Sequence, residues 1–82
     1  MSEELVYDKS TNFKIFANNF SIFAEEDLPT IVEFEHNNEM IYYVVGNEPA
    51  NLLTAVIAFE EFTNEKLTNE DLNLVMKENN LI

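Results

Sequence analysis

The sequence predicts an α+β fold: an antiparallel sheet of about four strands, made of two hairpins and followed by two C-terminal helices packed on one face. From Phe13 to Val45 apolar and polar residues alternate with the period of half-buried strands, and after Gly46 the period becomes helical. A chain of 82 residues is long enough for one hydrophobic core and too short for two. We therefore expect residues 1–82 to form a single domain.

The first hairpin follows an N-terminal segment without clear periodicity. Residues 1–12 mix charged and small polar side chains, and we expect a flexible or irregular arm there. Asn18 and Asn19 are the expected turn, because asparagine tolerates the positive φ of a two-residue hairpin. Ile15 would then face Ile22. The predicted inner face holds Phe13, Ile15, Ala17, Phe20, Ile22 and Ala24, and the other face holds Lys14, Phe16, Ser21 and Phe23.

The second hairpin has the same form, with Asn37 and Asn38 as the expected turn and Phe34 facing Ile41. Its predicted inner face holds Val32, Phe34, Ile41, Tyr43 and Val45, and its outer face holds Ile31, Glu33, Glu35, Met40, Tyr42 and Val44. Because side chains alternate along a strand, burial of Val32 and Phe34 presents Glu33 and Glu35 on the outer face.

Two helices are predicted after Gly46. The first spans residues 48–63, with Asn47 as N-cap and Pro49 in the first turn. The second spans residues 69–79, with Thr68 as N-cap and Asp71 in the capping-box position. Both carry apolar residues at helical spacing, so we expect each to pack through one face.

Charge is the most informative feature of the composition. Sixteen Asp and Glu residues against four Lys residues and no Arg give a net charge of −12. Such a surface repels nucleic acid and anionic membranes, because binding to phosphates depends on Lys and Arg. The expected partner is a basic protein. Without cysteine, a long apolar stretch or a basic N-terminus, the chain is expected to be cytoplasmic.

The residues that most enzymes use are sparse in this sequence. His36 is the single histidine and lies beside a predicted turn, and Gly46 is the single glycine, so no phosphate-binding loop is present. Neither residues 25–27 nor the pair Glu70 and Asp71 match the calcium loop of EF-hands. We therefore expect a protein that is not an enzyme and that uses no cofactor or metal.

The acidic side chains are candidates for binding a partner. Glu33 and Glu35 are expected to lie about 6.8 Å apart on one strand face, close to the spacing of neighbouring phosphates along a nucleic-acid strand. A row of this kind could occupy a basic groove that binds DNA or RNA. The candidate partner-binding residues are Glu25, Glu26, Asp27, Glu33, Glu35, Glu39, Tyr42, Glu60, Glu61, Glu70 and Asp71.

In size, charge, lack of cysteine and predicted outline, the chain resembles the small acidic inhibitors encoded by bacteriophages. These include DNA-mimic anti-CRISPR and anti-restriction proteins and uracil-DNA glycosylase inhibitors. The resemblance is to this class of protein as a whole and involves no shared sequence motif. It implies a nucleic-acid-binding host enzyme as the target. A second hypothesis stays open: an acidic protein-interaction module or homodimeric accessory protein that uses an apolar face of the sheet around Phe16, Phe23 and Tyr42.

Overall fold

The described part of the chain contains four strands and two helices. A computed structural model describes Tyr7 and residues 9–82. The strands are β1 (Thr11–Ile15), β2 (Asn18–Phe23), β3 (Ile31–His36) and β4 (Glu39–Val44), and the helices are α1 (Leu52–Thr63) and α2 (Asn69–Glu78). The strands lie in chain order and pair antiparallel. The predicted α+β fold, with two hairpins followed by two helices, is confirmed.

The first hairpin turns two residues earlier than the sequence predicts. Phe16 and Ala17 form the turn, with φ of 48° and 69°, and Ile15 pairs with Asn18. The side chain of Asn18 supports this turn, because its Nδ2 donates to the backbone carbonyl of Ile15 at 3.2 Å. A shift of two residues preserves the alternation of faces, so Ile15, Phe20 and Ile22 still lie in the core. Phe16 and Ala17 are the exceptions: as turn residues they leave the outer and inner faces predicted for them, and Ala17 is exposed.

The second hairpin has the predicted turn and register. Asn37 and Asn38 adopt φ of 51° and 66°, the left-handed conformation that asparagine tolerates. Phe34 pairs with Ile41 and Glu35 with Met40. The inner face of this hairpin therefore continues that of the first, and Phe20 stacks on Phe34 with ring centroids 4.4 Å apart.

α1 begins four residues later than the predicted residue 48, and its N-cap is Asn51, whose side-chain oxygen accepts the N–H of Thr54 at 3.1 Å. The predicted N-cap, Asn47, lies in the preceding connection. Thr30 holds this connection in a non-helical path, because its N–H donates to the carbonyl of Gly46 and its hydroxyl donates to that of Glu48.

α2 begins where the sequence predicts. The Thr68 hydroxyl accepts the N–H of Asp71, and the Asp71 carboxylate accepts the N–H of Thr68, both at 3.1 Å. The helix ends at Glu78, one residue before the predicted end. Its Val75 is fully buried in the cluster formed by the sheet and α1. Both helices pack on the same face of the sheet, as predicted.

The expected irregular arm is shorter than predicted, because Thr11 and Asn12 belong to β1. Residues 1–6 and Asp8 lie outside the described residues. Tyr7 is held against the sheet by two contacts. Its hydroxyl donates to the carbonyl of Pro29 at 2.6 Å, and its ring meets that of Phe23 edge to face at 5.9 Å.

Candidate partner-binding surface

The sheet face turned away from the helices, named here the outer face, carries the residues that alternate with the core. Val32 and Phe34 are at most 2% exposed, whereas Tyr42 and Val44, which lie on the outer face, are 60% and 65% exposed. Met40, also on this face, is 49% exposed. Within the described residues the helices thus cover only one side of the sheet.

Acidic side chains follow β3 along the outer face. Glu33 and Glu35 are two residues apart on this strand, which places them about 6.8 Å from each other. Glu33 is half-buried opposite Tyr42, and Glu35 is exposed opposite Met40. Glu39 lies beside the turn of the second hairpin. It is on the helix side of the sheet, because it pairs with His36, which alternates with Glu35 along the hairpin. The β3 carboxylates therefore form a short row on a strand that is paired on both sides.

The β2–β3 connection adds three acids at the start of β3. A turn forms here, with the N–H of Leu28 donating to the carbonyl of Glu25 at 3.2 Å and Asp27 at a φ of 64°. Glu26 and Asp27 are exposed. Together with Glu48 these acids line an open depression of about 700 Å³. Acidic groups are thus also present in the connection that leads into β3.

The acids of the helices belong to the other layer, and two of them bind backbone groups of this chain. Glu60 accepts the N–H of Leu67 at 2.8 Å through its carboxylate and so anchors the α1–α2 connection. Asp71 closes the capping box of α2. Glu61 and Glu70 are exposed. The candidate residues therefore divide between the outer face with its β2–β3 connection and the helix layer.

Sequence reasoning missed Tyr7, which lies beside Glu33 and Tyr42. With Phe23 and Ile31 these three residues line a shallow pocket of about 280 Å³ on the outer face. Tyr7 is 16 residues from Phe23 in the chain, and no spacing in the sequence indicates that they meet. The pocket makes this end of the outer face more apolar than alternation alone predicts.

Phe16 is the one predicted outer-face aromatic that the structure moves. As a turn residue it lies near α1, with its ring centroid 6.0 Å from that of Phe59. The apolar part of the outer face therefore consists of Tyr7, Phe23, Ile31, Met40, Tyr42 and Val44.

His36 contacts the helix layer instead of any acidic cluster. Its ring meets that of Phe62 edge to face at 4.8 Å. Among the residues that the structure describes, no three His, Asp or Glu side chains are grouped as a metal site requires. No described helix is both long and apolar enough to cross a bilayer.

Comparisons with families of known proteins, with curated proteins and with solved structures found no match to this chain. Any functional assignment must therefore rest on the chemistry of its surface.

Proposed function

We propose that this chain is a small acidic inhibitor without enzymatic activity, which occupies the nucleic-acid-binding site of a basic host protein in the cytoplasm. The observation that supports the proposal most directly is the acidic row of Glu33 and Glu35 on β3, extended by residues 25–27. The chain's class resemblance to phage-encoded DNA mimics favours a phage or mobile-element origin and a role against host defence.

The proposed mechanism is replacement of phosphates by carboxylates. Lys and Arg side chains that normally contact a nucleic-acid backbone would form charge-assisted hydrogen bonds with Glu33 and Glu35. β3 lies between β2 and β4, so the backbone that carries the two side chains needs little ordering on binding. A target occupied in this way cannot bind its nucleic acid, and binding should weaken as ionic strength rises.

The test is affinity capture from a bacterial lysate, followed by elution with a DNA duplex and mass spectrometry. We expect the wild-type chain to retain basic nucleic-acid-binding proteins from the lysate, and we expect the DNA duplex to release them. The Glu33→Lys/Glu35→Lys double variant should lose them while keeping its fold, because both side chains lie on the face opposite the core.

A matched control is the Glu61→Lys/Glu70→Lys double variant, which makes the same change in net charge on two exposed residues of the helix layer. It should retain the same proteins. Loss of binding in this variant alone would move the binding surface to the helices and overturn the assignment to β3. Absence of any protein that DNA releases would overturn nucleic-acid mimicry itself.

The second candidate function is that of an acidic protein-interaction module. It is favoured by the exposure of Met40, Tyr42 and Val44, which give the outer face an apolar area beside its acids. The same capture distinguishes the two functions. Proteins held by apolar contacts should remain bound in high salt and should not be released by DNA, whereas targets of a mimic should be released by both.

A further inference from the structure

The two edges of the sheet differ in how their backbone groups are satisfied. β1 and β4 are the edge strands. Beside β1, Asn79 behaves like a residue of an additional strand: its Oδ1 accepts the N–H of Lys14 at 2.8 Å, and its Nδ2 donates to the carbonyl of Lys14 at 2.7 Å. The chain thus covers part of this edge with its own C-terminal segment.

The hairpin register shows which backbone groups of β4 face the open edge. His36 and Glu39 close a two-residue turn, so the backbone groups of Glu39, and of every second residue after it, point toward β3. The N–H of Val45 continues this alternation by donating to Thr30 at 2.9 Å. The N–H and C=O groups of Met40, Tyr42 and Val44 therefore point away from the sheet.

Within the described part of the chain, no hydrogen-bond partner is found for these outward groups of β4. The strand also lacks the features that usually prevent edge pairing, since its sequence EMIYYV contains no proline and no lysine. Its one charge, Glu39, lies at the end next to the turn. An edge strand with a single charge is unexpected in a chain with a net charge of −12.

We propose that β4 pairs antiparallel with β4 of a second copy of this chain, around a two-fold axis at Tyr42, so that the two sheets become one. Each outward N–H then donates to a carbonyl of the other copy. Met40 would face Val44 of the second copy, and the two Tyr42 rings would lie side by side. This cross-strand aromatic pairing is itself favourable.

The distribution of charge permits this pairing. In this register Glu39 faces Val45 of the second copy, so no carboxylate of β4 lies opposite another. The two Glu33 side chains would be three strand spacings apart, about 14 Å, which exceeds the Debye length of about 8 Å at physiological salt. Salt should therefore strengthen the dimer by screening the remaining repulsion between two acidic chains. This is opposite to the salt dependence expected for the inhibitor–target complex.

The test is sedimentation velocity over a range of protein concentrations at low and high NaCl, combined with amide hydrogen exchange. We expect a dimer with a dissociation constant in the micromolar range, because an edge-to-edge interface is small. The dimer fraction should rise with salt. Exchange at the N–H groups of Met40, Tyr42 and Val44 should slow as protein concentration rises, whereas the N–H groups of Ile41 and Tyr43 should already be protected at low concentration.

Two variants make the test specific. Tyr42→Lys places like charges together at the two-fold axis and should give a monomer, while its fold should survive because Tyr42 is 60% exposed. Leu74→Lys is the matched control, since Leu74 is 57% exposed on α2, and it should still dimerise. A wild-type monomer at all concentrations, or a Tyr42→Lys variant that dimerises normally, would overturn the proposal. Slow hydrogen exchange at the outward N–H groups of β4 that does not depend on protein concentration would also overturn the proposal, because the chain's own residues would then cover β4.

Discussion

The carboxylate of Glu78, at the end of α2, accepts the backbone N–H of Ala17 at 2.7 Å. Its other oxygen accepts the N–H of Phe16 at 2.9 Å. Both turn residues have positive φ, so their adjacent N–H groups form a small anion-binding concavity, and Glu78 fills it. The last turn of the second helix thus stabilises a hairpin whose own residues disfavour its conformation.

Removal of the Glu78 carboxylate should destabilise the fold. Glu78→Ala leaves two N–H groups without their charged acceptor, and we expect the free energy of unfolding to fall by about 2 kcal/mol. Glu78→Gln keeps one acceptor oxygen and should cost less. Urea unfolding measures both effects. Glu65→Ala is the control, since Glu65 is exposed and has no side-chain bond within the described residues; equal losses at both positions would refute the role of Glu78.

Relief of the left-handed conformation at Ala17 should stabilise the protein. Ala17 has a φ of 69°, which costs an L-residue about 1–2 kcal/mol. Ala17→Gly should therefore raise the free energy of unfolding, by about 1 kcal/mol or less once the greater flexibility of unfolded glycine is included. Ala24→Gly should have the opposite sign, because Ala24 is not among the described residues with positive φ. Thermal unfolding of the two variants tests this difference.

Asn79 should control local opening at the β1 edge. Asn79→Ala removes the donor and the acceptor that pair with Lys14, so the N–H of Lys14 should exchange with solvent about tenfold faster or more. The N–H of Ile15 belongs to the closing pair of the β1–β2 turn and should change little. Similar acceleration at both amides would indicate loss of the whole hairpin and would contradict a local role for Asn79.

Repulsion among the acidic side chains should make the thermal stability of the protein depend on salt concentration. With a net charge of −12, added NaCl should raise the melting temperature by several degrees, because it screens repulsion among the acids. The Glu61→Lys/Glu70→Lys variant changes the net charge from −12 to −8 and should respond less. A melting temperature that falls as NaCl is added would show that favourable ion pairs dominate.

Interactions between residues close in the chain were sufficient to predict much of this structure. Alternation along β3 correctly places Val32 and Phe34 in the core and Glu33 on the outer face. Asn37 and Asn38 form the expected turn because their own side chains tolerate positive φ. The capping box of α2 is likewise formed by residues three positions apart. The sequence by itself thus determined the fold class, the faces of the strands and the acidic row on β3.

Contacts between distant parts of the chain decided the remaining features. The first turn lies at Phe16 and Ala17, with the carboxylate of Glu78, more than sixty residues away, binding both N–H groups. The start of α1 depends on Thr30, which holds the preceding connection by hydrogen bonds that only the folded sheet can position. Periodicity and capping preferences describe neighbouring residues, so they contain no information on these contacts. Only the tertiary structure brings the distant partners within hydrogen-bonding distance.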